Sequence, residues 1–201
     1  VLAAAVVLPS PDEIARRADM WSQIKDSKKV SEKKRAVLSA FIKDACPVFG
    51  FGWKTEKEID QWNILQATMR AMHGALDTCL ITLNNRHCHQ PKSAFVWIDG
   101  NAFKSYQPPG ADDEWRLFPN CLVNGDNIRL AVAAASILAK HERDTYMKSL
   151  VVQHPILEAY DVAKNKGYGT QAHLNGIRKH GYSPFHRLSF KVKALEGGVP
   201  N

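Results

Sequence analysis

An α/β layered fold is the architecture this sequence predicts, and three observations predict it. Short apolar runs bounded by Pro, Gly, Asn or Asp read as strands. Longer stretches with apolar residues three and four apart read as amphipathic helices. The two kinds of segment alternate along the chain, as in folds that layer helices on a sheet. With 201 residues, 45% apolar and 23% charged, the chain is long enough for one domain with a sizeable core and unlike a disordered or fibrous one.

Each element follows from local chemistry. Val1–Leu8 is an apolar strand stopped by Pro9-Ser10-Pro11, too short to span a bilayer and without the basic leader of a signal peptide. Residues 11–25 form a polar connector with some helical character. Ser31 is an N-cap, followed by Val37, Leu38, Phe41, Ile42 and Ala45 at helical spacing. Cys46–Trp53 alternates apolar and small residues as a strand does. Thr55 caps a short helix, and a second helix starts at Asn63 with Leu65, Met69, Met72 and Leu76 on one face. Ala94–Ile98 is a strand ending at Asp99-Gly100. Residues 102–120 are expected as a loop, Cys121–Val123 as a short strand closed by Asn124-Gly125-Asp126, and 130–144 as a helix with an Ala-rich packing face. Residues 155–169 are expected as mostly loop. Thr170 caps the last helix, Gly181 ends it, and SPFHRLSF is irregular.

Charge and cysteines narrow the setting. Twenty-seven Lys and Arg against 20 Asp and Glu give a net charge of +7, compatible with a polyanionic partner such as nucleic acid. Cys46, Cys79, Cys88 and Cys121 form no CxxC pair and read as reduced thiols of a cytoplasmic protein. The RHCH string at 86–89 does not match a structural zinc spacing.

Two acidic residues sit where α/β folds place their sites, at strand ends and the loops after them. Asp99 ends a strand, and Asp126 follows Gly125 before a helix. Carboxylates brought together repel each other, and a hard divalent cation relieves that conflict. On spacing alone, Asp99 as a turn residue and Asp126 as a helix cap is the more ordinary reading. Lys166-Gly167-Tyr168-Gly169 offers a backbone able to approach a phosphate or sugar, or a plain glycine turn. The basic run KDSKK…KKR, residues 25–35, is either a phosphate-binding stretch or a solvated helix face. Asp144 reads as a salt-bridging residue at a helix end.

Taken in order, AAAVVLP, IKDSKKVSEKKR, EIDQWNILQATMRAM, WIDGN, AAASILAKHERD, KGYGTQAH and HRLSF resemble bacterial ribonuclease HII from about Ala3 to Phe190. The resemblance implies a ribonuclease H-like mixed central sheet flanked by helices, with a catalytic domain over residues 1–150 and a small helical substrate-binding region over 151–201. It implies an endonuclease that hydrolyses RNA in RNA–DNA hybrids and cuts 5′ of ribonucleotides embedded in duplex DNA, in DNA replication and repair. Four carboxylates would hold two Mg²⁺ or Mn²⁺ ions, one activating water and the other stabilising the leaving 3′ oxygen. Asp99 and Asp126 match two of those carboxylates. Tyr168 matches a tyrosine that packs on the sugar at an RNA–DNA junction, and Lys28 and Lys29 match residues that meet backbone phosphate. Lys166, His186 and Arg187 are expected beside the substrate, in a monomer with no membrane attachment.

Two departures accompany the resemblance. Asn124 stands where the family usually has Lys before Gly-Asp. The chain opens at Val1 on the strand that follows the family's Asp-Glu pair and Gly-Arg-Gly loop, so a lost interior strand, an inactive chain and poor solubility are expected. The alternative function is a catalytically dead protein that binds hybrid duplex.

Overall fold

The computed structural model describes residues 1–86, 93–108 and 115–190. Strand β1 (Leu2–Val7) leads into two short helices, α1 (Pro11–Arg16) and α2 (Ala18–Trp21). Ser10 and Glu13 form a reciprocal cap on α1, which turns the expected polar connector into helix. Helix α3 (Glu32–Ala45) starts as its sequence requires, with the Ser31 hydroxyl accepting the Lys34 N–H at 3.4 Å. Strand β2 (Val48–Trp53) follows.

Helix α4 (Glu56–Arg86) contains both expected helices, joined at a break where Asn63 has φ 67 and ψ 163. Thr55 and Glu58 cap the first part reciprocally, and the Asn63 side chain accepts the Gln66 N–H at 3.1 Å to cap the second. Strands β3 (Ser93–Asp99) and β4 (Arg116–Leu122) come next, then α5 (Leu130–Gln153), α6 (Val162–Asn165) and α7 (Gln171–His180). Thr170 caps α7, and Gly181 closes it at φ 72.

The strands form two hydrogen-bonded pairs among the described residues. β1 and β2 are antiparallel, from Leu2 opposite Trp53 to Val7 opposite Val48. β3 and β4 are parallel, from Ser93 opposite Arg116 to Asp99 opposite Leu122. β4 corrects the expectation of a three-residue strand at 121–123. Arg116 and Pro119 interrupt its apolar pattern, and the pairing to β3, which only the folded chain supplies, makes it a strand. Pro119 is tolerated because, among the described residues, β4 pairs only with β3. Residues 155–165 likewise hold a 3-10 turn (Pro155–Tyr160) and α6 where loop was expected.

The chain divides into two compact units. One comprises residues 1–54 and 67–141, the other 55–66 and 142–201. In the first, Leu38 and Ile42 of α3 and Ile137 and Leu138 of α5 are almost fully buried with Trp21 and Phe41, whose rings meet edge to face at 5.1 Å. Burying each such aliphatic side chain stabilises by roughly 1.5–3 kcal/mol. Ala133 and Ala134 lie in the same cluster, as the Ala-rich face of that helix predicts. Strand β2 is two-faced. Phe49 and Phe51 pack on this cluster, while Gly50 and Gly52 face α4 so closely that a Cβ on Gly52 would stand 1.9 Å from the Ala71 carbonyl oxygen. The second unit has its own core of Leu150, Val151, Leu157, Tyr160, Val162 and Ile177.

Cys46 and Cys79 are buried free thiols, pushed up to about 11 and about 12 by burial, and Cys121 is a third free thiol. His87, Cys88 and His89 of the RHCH string lie outside the described residues. No helix among the described residues is long and apolar enough to cross a membrane.

Candidate active site

The acidic site belongs to the first unit and is built from three turns. Pairing of β3 with β4 sets Asp99 opposite Leu122 and brings the Asn124–Asn127 turn to the strand end. Asn124 takes the left-handed conformation at φ 56, which Asn tolerates better than most residues. That aims the Gly125 N–H at Asp99 Oδ1, 2.9 Å away. A Cβ on Gly125 would lie 3.2 Å from Val132 and 3.3 Å from Leu122, so the close approach favours glycine. Asp126 follows in the 3-10 turn Gly125–Asn127 and is half-buried.

The third turn carries Asp26, a carboxylate whose role the sequence did not disclose. It is 9% exposed and accepts the Lys28 N–H at 2.9 Å, capping the 3-10 turn Ser27–Lys29. The Asp126 carboxyl is held above its ordinary range, first by burial and then by the negative charges of Asp26 and Asp99; Lys28 opposes the shift, and a hydrogen bond to Asp26 adds to it. Two carboxyls in such contact need a proton or a cation between them. The side chains of Lys28 and Lys29 are exposed, and Lys29 Nζ reaches Asn127 Oδ1 at 2.9 Å and Asp26 at 3.9 Å. Arg35 fixes the turn by donating to the carbonyls of Ser27 and Val30, and Ser136 Oγ meets Ser27 Oγ at 2.8 Å. These all-oxygen donors, with like charges only partly offset by Lys28 and Lys29, suit a hard divalent cation. Among the described residues, no three His, Cys, Asp or Glu side chains converge on a single preformed metal position.

The tyrosine site belongs to the second unit. Lys166 and Gly167 are both left-handed, at φ 54 and 77, and swing Tyr168 outward to 54% exposure. Asn165 holds the turn with both ends of its amide: Nδ2 donates to the Tyr160 carbonyl at 2.7 Å, and Oδ1 accepts the Gly167 N–H at 2.8 Å. Lys166 is buried, its ammonium donating to the Ala163 carbonyl. His186 is turned inward as well. Its Nδ1 accepts the Ser183 N–H at 2.9 Å, so its proton sits on Nε2 and is given to His173 Nε2 at 3.2 Å. Burial, then His173, brings His186 down to about 4. Arg187 lies over the Phe190 ring at 3.7 Å, and Asp60 secures the segment by accepting the N–H groups of Leu188 and Ser189 at 2.8 and 2.9 Å. A cavity of about 180 Å³ is lined by Met147, Gly167, Gly169, His173 and Arg187.

The ribonuclease HII family profile matches residues 1–193. The chain is 37% identical to ribonuclease HII of Phocaeicola vulgatus over 96% of its own length and 82% of that protein's. This chain belongs to the ribonuclease HII family. Its fold is similar to that of ribonuclease H2 from Pyrococcus horikoshii, with a TM-score of 0.61 at 17% identity over 95% of this chain and 94% of that one. It is also similar to Bst-RNase HIII in complex with Mn²⁺, with a TM-score of 0.61 at 18% identity over 90% of this chain and 57% of that one. Family membership makes the chain an endoribonuclease of the ribonuclease H class, a phosphodiester hydrolase.

Within this ribonuclease HII chain the structure brings Asp99, Asp126, Lys28 and Lys29 into one neighbourhood, and Tyr168, Lys166, His186 and Arg187 into another. Asp144 corrects an expectation. It is not at a helix end, because α5 runs on to Gln153, and it is only 5% exposed, with Arg143 Nη1 3.8 Å from its carboxylate. The signal that could have found Asp26 was local. An Asp two residues before a backbone N–H it can accept is a turn-capping position, and this one opens the basic run.

Proposed function

We propose that this ribonuclease HII chain hydrolyses the RNA strand of RNA–DNA hybrids and cuts 5′ of single ribonucleotides embedded in duplex DNA. The observation that carries the reading is the neighbourhood of Asp26, Asp99 and Asp126, where burial and then the like charges of Asp26 and Asp99 raise the Asp126 carboxyl. Asp99 and Asp126 are the residues that would hold Mg²⁺ or Mn²⁺, and the Mn²⁺ complex of Bst-RNase HIII supports a divalent ion. Such ions, when bound, would activate water and offer Lewis-acid stabilisation to the leaving oxygen. Water then adds to phosphorus, the bond to the 3′ oxygen breaks, and the products carry a 5′ phosphate and a 3′ hydroxyl. The Gly125 N–H orients the Asp99 carboxylate throughout. Lys28, Lys29 and Arg187 meet backbone phosphate, and Tyr168 packs on the sugar at the junction. The buried Lys166 and the inward His186 support the loops that carry those residues. Free thiols at Cys46, Cys79 and Cys121 agree with a reducing, cytoplasmic setting.

The test is a labelled DNA duplex with one ribonucleotide, incubated with the chain and Mg²⁺ or Mn²⁺, with a chelator control. A chelator-sensitive nick on the 5′ side of the ribonucleotide is the outcome this reading requires, and it would overturn the expectation of an inactive chain. Tight binding without a nick would select the second reading, a catalytically dead hybrid binder. Neither binding nor cutting would overturn both.

A further inference from the structure

Arg143 lies on α5 in the second unit, and its guanidinium makes two contacts with the same loop. Nη2 donates to the Lys166 carbonyl at 2.8 Å, and the guanidinium carbon lies 4.8 Å from the centre of the Tyr168 ring. Left-handed backbone at a non-glycine residue is disfavoured, so the turn at Lys166 depends on its surroundings to hold it. Asn165 grips the turn from within the chain's own path. Arg143 grips it from a different helix, at the Lys166 carbonyl two residues before the tyrosine and at the tyrosine ring itself. A planar guanidinium can donate in its plane and stack on a ring face at once; a lysine ammonium cannot combine the two. Nη1 of Arg143 is buried, 3.8 Å from Asp144, so this edge of the fork faces protein and not a ligand.

We infer that Arg143 is a positioning residue for Tyr168: it fixes the height and tilt of the exposed ring, and through the ring it sets recognition of the sugar at an RNA–DNA junction. The inference rests on the proposed role of Tyr168. It adds that the specificity of the ring depends on a side chain that does not itself touch the substrate.

The experiment is fluorescence anisotropy with the full 201-residue chain, without divalent metal, on a labelled DNA duplex containing one ribonucleotide and on the all-DNA duplex of the same sequence. Tyr168→Ala is expected to weaken binding of the ribonucleotide duplex by about tenfold, the loss of one ring contact. Arg143→Lys keeps the charge and is expected to reproduce most of that loss, with little change on all-DNA. The double variant is expected to bind no more weakly than Tyr168→Ala alone. Additive losses would overturn the inference, because Arg143 would then act independently of the ring. The slope of log affinity against log salt discriminates further. Arg143→Ala is expected to leave it unchanged, whereas a fall of about 0.9 would make Arg143 a direct phosphate contact and overturn the positioning role. Arg143→Met, which keeps the apolar stem, is the second variant if Arg143→Lys fails to fold by circular dichroism. If Tyr168→Ala binds both duplexes as the unsubstituted chain does, the role of Tyr168 fails first and the inference falls with it. If Tyr168→Ala loses affinity and Arg143→Lys does not, the inference alone fails.

Discussion

The turn at Asn124–Asn127 and the turn at Asn165–Tyr168 start from the same backbone device, a non-glycine residue in the left-handed region, and end in opposite electrostatic states. At the first, Asn124 has φ 56 and the turn delivers Asp126 to Asp26 and Asp99, raising its carboxyl. At the second, Lys166 has φ 54, and Asn165, Lys166 and Arg143 each find a partner in the protein. One turn concentrates negative charge that Lys28 and Lys29 offset only in part; the other ties its polar groups to the protein and sets the Tyr168 ring against the Arg143 guanidinium. The difference teaches that the same backbone device can gather like charges at one turn and bury or pair its charged groups at another.

The largest expected effect breaks the first turn. Asp126→Asn or Asp99→Asn should lower metal-dependent cleavage by several kcal/mol of barrier, about a thousandfold in rate. Asp126→Asn should nonetheless stabilise the metal-free protein near neutral pH. A carboxyl raised in the folded state contributes stability below its ordinary value of 3.8 and loses it as pH rises through the folded value, so removing the charge relieves the site. Thermal melts at pH 7 with chelator check this; a lower midpoint for Asp126→Asn would contradict that relief.

Next is the second turn. Asn165→Ala leaves the Tyr160 carbonyl and the Gly167 N–H without their partner and should cost about 2–3 kcal/mol, read as a shifted midpoint in urea. A neutral result would mean that Arg143 alone sets the turn. Smaller still, Lys28→Ala should lower the salt slope of duplex binding by roughly 0.9 without changing stability, since its side chain is exposed. An unchanged slope would remove Lys28 from the phosphate path. The last effect appears only in acid. His186 titrates near 4 when folded against an ordinary 6.5, so its contribution is present above 6.5 and lost as pH falls toward 4. Melts across that window should show a stability loss that His186→Asn flattens; an equal loss in the variant would place the acid sensitivity elsewhere.

What was legible in the sequence was what neighbours in the chain decide. Ser31, Thr55, Asn63 and Thr170 all cap helices as their side chains predict, and Gly181 ends α7. Asp99 and Asp126 stood out because both follow a strand-to-turn pattern. What was not legible depends on partners far along the chain. β4 is a strand because β3 lies beside it, with Pro119 and Arg116 obscuring any local signal. Asp26 joins the acidic group only when a turn near the start of the chain meets a loop a hundred residues later, and its own neighbours advertise positive charge instead. The inward His186 and buried Lys166 were legible as types and not as orientations, because rotamer and burial are set by the surrounding core.

The glycine face of β2 carries a consequence of its own. Gly50 and Gly52 meet the α4 backbone directly, with the Thr78 side chain against Gly50, so little stands between strand and helix to rearrange when the protein breathes. Such a seam has no partly open form: it is closed, or its two walls have separated entirely. The amide protons of Gly50 and Gly52 should therefore exchange with deuterated solvent only through large-scale opening, among the slowest in the molecule, and a protease should find no foothold there until the whole first unit has come apart.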